Sequence, residues 1–196
     1  MTTPTIDTEF VTEWAAAYPS NADDHVLGSI HPAVGERGYF TYAEAEDVIK
    51  WKSNRSITFL RKNDPADVET ITQMALRAPE HLAHRVLGLL RGVGVPVASA
   101  FLTVAKPDTF TVIDVLAMRT LRRHGEQDST WPAYADYLKT CRGIARRCET
   151  DLRTLDRALW AWGTAHPASA RRVPRMCSRP AEPVPTCRSG LGSGRA

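Results

Sequence analysis

Between residues 7 and 163 apolar side chains return every three or four positions and no run alternates with period two, a pattern that predicts helices throughout. Phe10, Trp14 and Tyr18 mark a first helix. The stretch 19–40, with Pro19, Gly28, Pro32, Gly35 and Gly38, is expected to be a long irregular connection. Thr41 and Glu44 form a capping-box pattern ahead of Ala45, Val48 and Ile49, predicting a helix that reaches about Trp51. Asp64 followed by Pro65 supplies an N-cap and a first-turn proline for a helix buried through Val68, Ile71, Ala75 and Leu76. Pro79 opens a helix carrying Leu82, Val86, Leu89 and Leu90. It stops at Arg91-Gly92-Val93-Gly94, and Pro96 restarts a helix through Val97, Ala98, Ala100, Phe101 and Leu102. After a loop from Lys106 to Ile113, a helix begins near Asp114. Trp131-Pro132 opens another with Tyr134, Leu138, Cys141 and Ala145, and a last one carries Leu152, Leu155, Leu159 and Trp162. The expectation is one compact all-α domain over 1–165.

Charge changes the picture at the end of the chain. From His166 to Ala196 there are six Arg and one Glu, +5 of a total of +3, which leaves −2 for residues 1–165. This tail is rich in Pro, Arg, Ser and Gly without an apolar period, so 166–196 is expected to be disordered. Within the body, 1–49 sums to −8, while Lys50–Lys62 carries +5 and Arg85–Arg123 +4. A mildly acidic body with two local basic stretches excludes a protein that coats DNA by bulk charge, so any contact with nucleic acid is local. The longest uncharged stretch, Val93–Ala105, has 13 residues and includes Gly, Pro, Ser and Thr, too short and polar to span a membrane. Nothing at the start of the chain reads as a secretion signal, so the cytoplasm is the default expectation. Cys141 and Cys148 lie seven apart, Cys177 and Cys187 fall in the tail, and no C-x-x-C occurs, so neither a disulfide framework nor a metal site is expected. Four histidines, at 31, 81, 84 and 124, lack metal spacing and are taken as surface residues.

The sharpest local signal is L-R-G-V-G-V-P-V-A, Leu90–Ala98, between two predicted helices. Glycines at 92 and 94 permit a tight turn and leave amides uncovered at a helix start, where a phosphate oxygen fits. A glycine-rich turn between core helices accounts for the same letters. Lys50-Trp51-Lys52-Ser53-Asn54-Arg55 is a second feature: Trp51 can stack on a base while Lys50, Lys52 and Arg55 reach phosphates, or Trp51 can end a helix as a core residue. Trp160 and Trp162 read as core anchors.

The segment Leu90, Gly92, Val93, Gly94, Ala98, a loop with Pro107, then Asp114, resembles the helix-hairpin-helix motif of the HhH-GPD superfamily of DNA glycosylases. The wider pattern W-K-S-N-R, N-D-P, G-V-G-V-P-V-A-S-A, P-D-T-F-T-V-I-D and L-D-R-A-L-W, over 38–163, is similar to bacterial proteins described as having an 8-oxoguanine glycosylase-like fold. The resemblance implies a helix-hairpin-helix core, DNA as partner and base-excision repair as activity. It also implies that Asp114 stands by a flipped nucleotide, activating the nucleophile and stabilising the positive charge that develops on the sugar. As a residue at a helix start, Asp114 is equally explained as an N-cap. Arg91, Arg119, Arg122 and Arg123 are then candidate phosphate contacts beside Gly92, Val93 and Gly94.

Two departures narrow the expectation. Relatives that cleave the strand carry a lysine two residues after the second hairpin glycine, where this chain has Pro96, so hydrolysis without lyase activity is implied. Cys141 and Cys148 match only the first interval of the iron–sulfur cluster of some relatives, so no cofactor is expected. A non-catalytic DNA-binding module and a helical interaction protein of a stress or defence system are the alternatives.

Overall fold

The computed structural model describes residues 5–19 and 21–167, and among these every regular element is helical. The order is α1 (Thr8–Ala16), a π-helical turn (Val26–Ile30) running directly into α2 (His31–Arg37), α3 (Tyr42–Ser53), a 3-10 turn (Asn54–Ser56), α4 (Ile57–Leu60), α5 (Pro65–Arg77), α6 (Glu80–Leu87), α7 (Val95–Ala105), α8 (Val115–Arg123), α9 (Tyr134–Arg147) and α10 (Leu152–Ala165). Except for 166 and 167, the tail predicted over 166–196 lies outside the described residues, as do Cys177 and Cys187.

The predicted starts form as the side chains require. Thr41 Oγ1 accepts from the Glu44 amide and Glu44 Oε2 accepts from the Thr41 amide, closing the capping box of α3. Asp64 Oδ1 accepts from the Ala66 amide at 2.8 Å with Pro65 in the first turn of α5. Asp7 and Asp151 cap α1 and α10 in the same way, and such caps contribute about 1 kcal/mol each.

Residues 19–40 depart from expectation, because Val26–Arg37 is helical. Val26, Ile30 and Val34, four apart, are all buried, and that stripe outweighs the glycines. Neither Gly28 nor Gly35 takes a positive φ, and a Cβ added at either would meet nothing within 4 Å, so neither backbone freedom nor close packing calls for a glycine there. Gly38 is: with φ +82° it ends α2, and its amide donates to Val34 O at 2.7 Å. Pro32 lies at the junction where the π-helical turn passes into α2. The first helix is also shorter than its spacing predicts, since α1 ends at Ala16 and Tyr18 lies in the turn beyond.

Apolar on nearly every side, α7 is the central helix, with every residue from Val97 to Ala105 buried. It packs on α2, α3 and α6, and the Phe101 ring meets Phe40 edge-on at 5.0 Å. A second layer forms where α10 lies against both α1 and α8. There Gly163 sits so close to α8 that a Cβ would stand 2.7 Å from Leu116 O, a backbone atom that cannot swing aside. Gly163→Ala is expected to cost about 2–3 kcal/mol, lowering Tm by roughly 5–10 °C, whereas Gly28→Ala should leave Tm unchanged or raised. Thermal unfolding by circular dichroism separates the two; equal melting would contradict the close approach.

Candidate functional site

A cavity of about 200 Å³ opens where α3, the 18–23 segment, the start of α8 and α10 meet. Aromatic rings of Tyr18, Trp51 and Trp160 form part of its wall, and Lys52, Asp114, Arg153 and Asp156 bring charge to it. The volume is below the ~300 Å³ at which pockets for drug-sized ligands begin, and fits a single flat ring system better than a larger molecule.

Asp114 caps α8. Its Oδ1 accepts from the Leu116 and Ala117 amides, each at 2.9 Å, and its Oδ2 accepts from Lys52 Nζ at 2.8 Å. Both side chains are largely buried, 11% exposed for Lys52 and 17% for Asp114. The cap and the cavity-lining position thus coexist in one residue, and α3 turns Lys52 inward rather than toward a surface phosphate. The residue before Asp114 is tied to the central helix, the Ile113 amide donating to the buried Ser99 Oγ at 3.1 Å.

Behind the rings lies an ion-pair network. Arg153 donates to Asp23 through Nε at 2.9 Å and through Nη2 at 2.6 Å, and to Asp156 Oδ2 through Nη1. Tyr18 donates to Asp23 Oδ1 at 2.9 Å and accepts from Arg153 at 3.0 Å; Arg157 adds a further bond to Asp23. The Arg153 guanidinium lies 5.2 Å from the Tyr18 ring centre and 5.3 Å from that of Trp51, a cation–π arrangement that fixes both rings. Burial opposes ionisation of Asp23, yet Arg153 and the bonds from Tyr18 and Arg157 bring its carboxyl below the ordinary range. Burial pushes the Tyr18 phenol up to about 12.

Asp156 behaves in the opposite way. Burial, aided by the Asp114 carboxylate and opposed by Arg153, lifts it from 3.8 to about 6. A raised acid keeps its proton in the folded chain at a pH where the unfolded chain has lost it. Its contribution to stability is therefore greatest below 3.8 and declines until the pH passes about 6. Two pKa units correspond to about 3 kcal/mol. The unfolding free energy of the wild type, taken relative to Asp156→Asn, should accordingly fall by up to about 3 kcal/mol between about pH 4 and pH 7. Urea titrations across that range measure it, and a flat difference would mean that the carboxyl is ionised throughout.

The hairpin lies between α6 and α7. Val93 N donates to Leu90 O at 3.2 Å, Gly92 takes φ +87°, and Gly94 caps α7 with no side chain of its own. Asn63 braces the turn, accepting from the Arg91 amide at 2.8 Å and donating to Arg91 O at 3.1 Å. Gly92 presses on α4, where an added Cβ would stand 2.5 Å from Phe59 Cβ. Among the described residues the amides of Gly92, Gly94 and Val95 have no protein acceptor, and Gly94 is exposed. Val93 is buried, so its part is packing. From Gly94 to the Ser99 tie is about 7.5 Å of helix rise.

The remaining candidates divide. Lys50 is on the surface, paired with Asp47 at 3.0 Å and Glu46 at 3.6 Å. Arg55 and Arg91 are exposed, as are Arg122 and Arg123 on α8. Arg119 instead donates to Gly163 O at 3.0 Å, closing the end of α10. The strip Lys50–Arg55 does not act as one unit, because Trp51 and Lys52 enter the cavity while its other cations face out.

Surface placement fails for several histidines. His124 is 7% exposed, with the Phe10 and Trp162 rings each 4.8 Å away, and His31 Nδ1 lies 2.8 Å from Val104 O. His84 is half-buried, its Nδ1 has no partner, and burial lowers its pKa. Cys141 and Cys148 are buried free thiols. Among the described residues no cluster of His, Cys, Asp and Glu suits a metal ion, and no helix is long and apolar enough to cross a membrane.

Arg153 and Asp156 are cavity residues that the sequence reading does not mark, while Trp160, expected as a core anchor, and Tyr18, expected in the first helix, stand instead in the cavity wall. On α10, Arg153, Asp156 and Trp160, at i, i+3 and i+7, form a stripe beside Leu152, Leu155 and Leu159. Charge beside a leucine stripe is what any amphipathic helix carries, so no signal along the chain separates these two charges from solvated ones. No described protein family, curated protein or solved structure matches the chain.

Proposed function

We propose that the chain is a DNA N-glycosylase-like protein of the HhH-GPD type, which draws a base from the duplex into the aromatic cavity and hydrolyses its N-glycosidic bond. The observation that carries this reading is the position of Asp114: its carboxylate lines a cavity walled by Tyr18, Trp51 and Trp160, one residue from the tie to the hairpin helix. The rings supply faces on which an extruded base stacks. Asp114 supplies negative charge where the sugar turns positive as the base departs. Gly92, Gly94 and Val95 offer amides, with the positive end of α7, to a phosphate of the same strand, and exposed Arg91, Arg122 and Arg123 extend that contact along the backbone. Water is the nucleophile, since Pro96 stands where a hairpin lysine would be.

Incubation with duplexes carrying uracil, 8-oxoguanine, hypoxanthine or alkylated purines, followed by alkali, detects abasic sites. Base release by the wild type and its loss in Asp114→Asn are expected, with strands intact until alkali is added. Cuts without alkali would instead indicate attack on the sugar by an amine, for which Lys52 is placed.

One observation favours a second reading, a DNA-binding module without catalysis: both Asp114 oxygens already accept bonds within the protein. On that reading no duplex loses a base, while binding persists in Asp114→Ala and weakens with salt in proportion to the phosphates contacted.

A further inference from the structure

We propose that Asp156 is a second catalytic group, the acid that delivers a proton to the departing base; the assignment rests on the glycosylase reading. Two carboxyl groups line the same cavity from different elements, Asp114 at the start of α8 and Asp156 on α10. Their surroundings differ in kind. Asp114 accepts from Leu116 N, Ala117 N and Lys52 Nζ, so three donors surround it. Asp156 is only 4% exposed and receives Arg153 on Oδ2.

The groups facing Asp156 leave it able to hold a proton near neutrality. Burial, joined by the Asp114 and Asp23 carboxylates, opposes its charged form and outweighs Arg153 and, from α3, Lys52, which favour it, lifting it to about 6. From α9 come Tyr134, Tyr137 and Cys141, each pushed upward by burial and so uncharged at neutral pH. Paired carboxyls whose environments differ in this way divide acid and base work between them.

The balance of the step follows. As the bond between the sugar C1′ and the base nitrogen breaks, its electron pair goes to the base, which takes the proton from the Asp156 carboxyl. The carboxylate left behind is held by Arg153. Water adds to C1′ and gives its proton to Asp114. One water is consumed, the base and a hemiacetal sugar are released, and solvent exchange returns each carboxyl to its starting form. Such a proton is needed when the departing base is neutral in the nucleotide. An N7-alkylated purine is already cationic and departs as a neutral molecule without one.

That difference is the test. Single-turnover base release is measured on duplexes carrying a neutral lesion (hypoxanthine, 8-oxoguanine or uracil) and on duplexes carrying 7-methylguanine. Asp156→Asn is expected to lose ~10²–10⁴-fold on the neutral lesion and only a few-fold on 7-methylguanine, which also shows that the variant is folded. In the wild type, the rate on the neutral lesion should fall about tenfold per pH unit above the Asp156 pKa while that on 7-methylguanine stays level. This profile decides the matter if the variant does not fold. Equal losses on both substrates, parallel pH profiles, or wild-type release confined to 7-methylguanine would overturn the assignment and leave the glycosylase reading standing. No release from any duplex by the wild type would overturn both.

Discussion

Asp114→Asn should remove base release, by ~10²–10³-fold or more, while leaving the start of α8 in place. Asparagine is as good an N-cap as aspartate, so the bonds from the Leu116 and Ala117 amides survive the change. What is lost is the charge, and with it the partner of Lys52, whose ammonium lies 2.8 Å from Oδ2 and is mostly shielded from water. Stranding a buried cation costs up to ~3–5 kcal/mol, so the single variant is expected to be less stable as well as inactive. Adding Lys52→Met to Asp114→Asn removes the stranded charge and should recover stability without activity. A double-mutant cycle on both readouts separates the two effects. Base release that persists in Asp114→Asn, or returns in the double variant, would contradict the role assigned to the carboxylate.

Gly92→Ala is expected to be among the most damaging small substitutions in the chain, and Gly94→Ala among the mildest. At Gly92 the backbone has φ +87°, which costs an L-residue about 1–2 kcal/mol, and the new methyl would overlap Phe59 Cβ at 2.5 Å. The sum is about 2–4 kcal/mol, a fall in Tm of roughly 6–12 °C. At Gly94 the backbone is extended and the nearest neighbour of a Cβ is Pro96 Cδ at 3.9 Å, ordinary contact. A larger side chain there, as in Gly94→Leu, should leave melting unchanged yet cover the amides of Gly94 and Val95, weakening DNA binding and flattening its dependence on salt. Unaltered binding by a folded Gly94→Leu protein would remove the hairpin from the interface.

What the sequence made legible is what local chemistry controls. Thr41 with Glu44, Asp64 with Pro65, and Asp114 at the head of α8 read correctly because a cap is decided within three residues. The stretch 19–40 was misread because five glycines and prolines in 22 residues look like a loop, whereas burial of Val26, Ile30 and Val34 is settled by packing against distant helices. The same division holds at the cavity. Trp51, Lys52 and Asp114 were visible as chemistry, but their meeting was not, since 62 residues separate Lys52 from Asp114. Arg153 and Asp156 look like ordinary surface charges of an amphipathic helix until the partner, Asp23, arrives from 130 positions away.

The Asp23–Arg153 bond carries a kinetic consequence. Its partners belong to the first and last stretches of the folded body, so during synthesis the hairpin and central helix can assemble while the cavity still lacks its α10 wall. Until α10 leaves the ribosome, Asp23 waits without its guanidinium and Trp51 without the cation beside its ring. The cavity is therefore completed late in synthesis, and a chain that ends before residue 151 lacks the wall that Arg153, Asp156 and Trp160 give it.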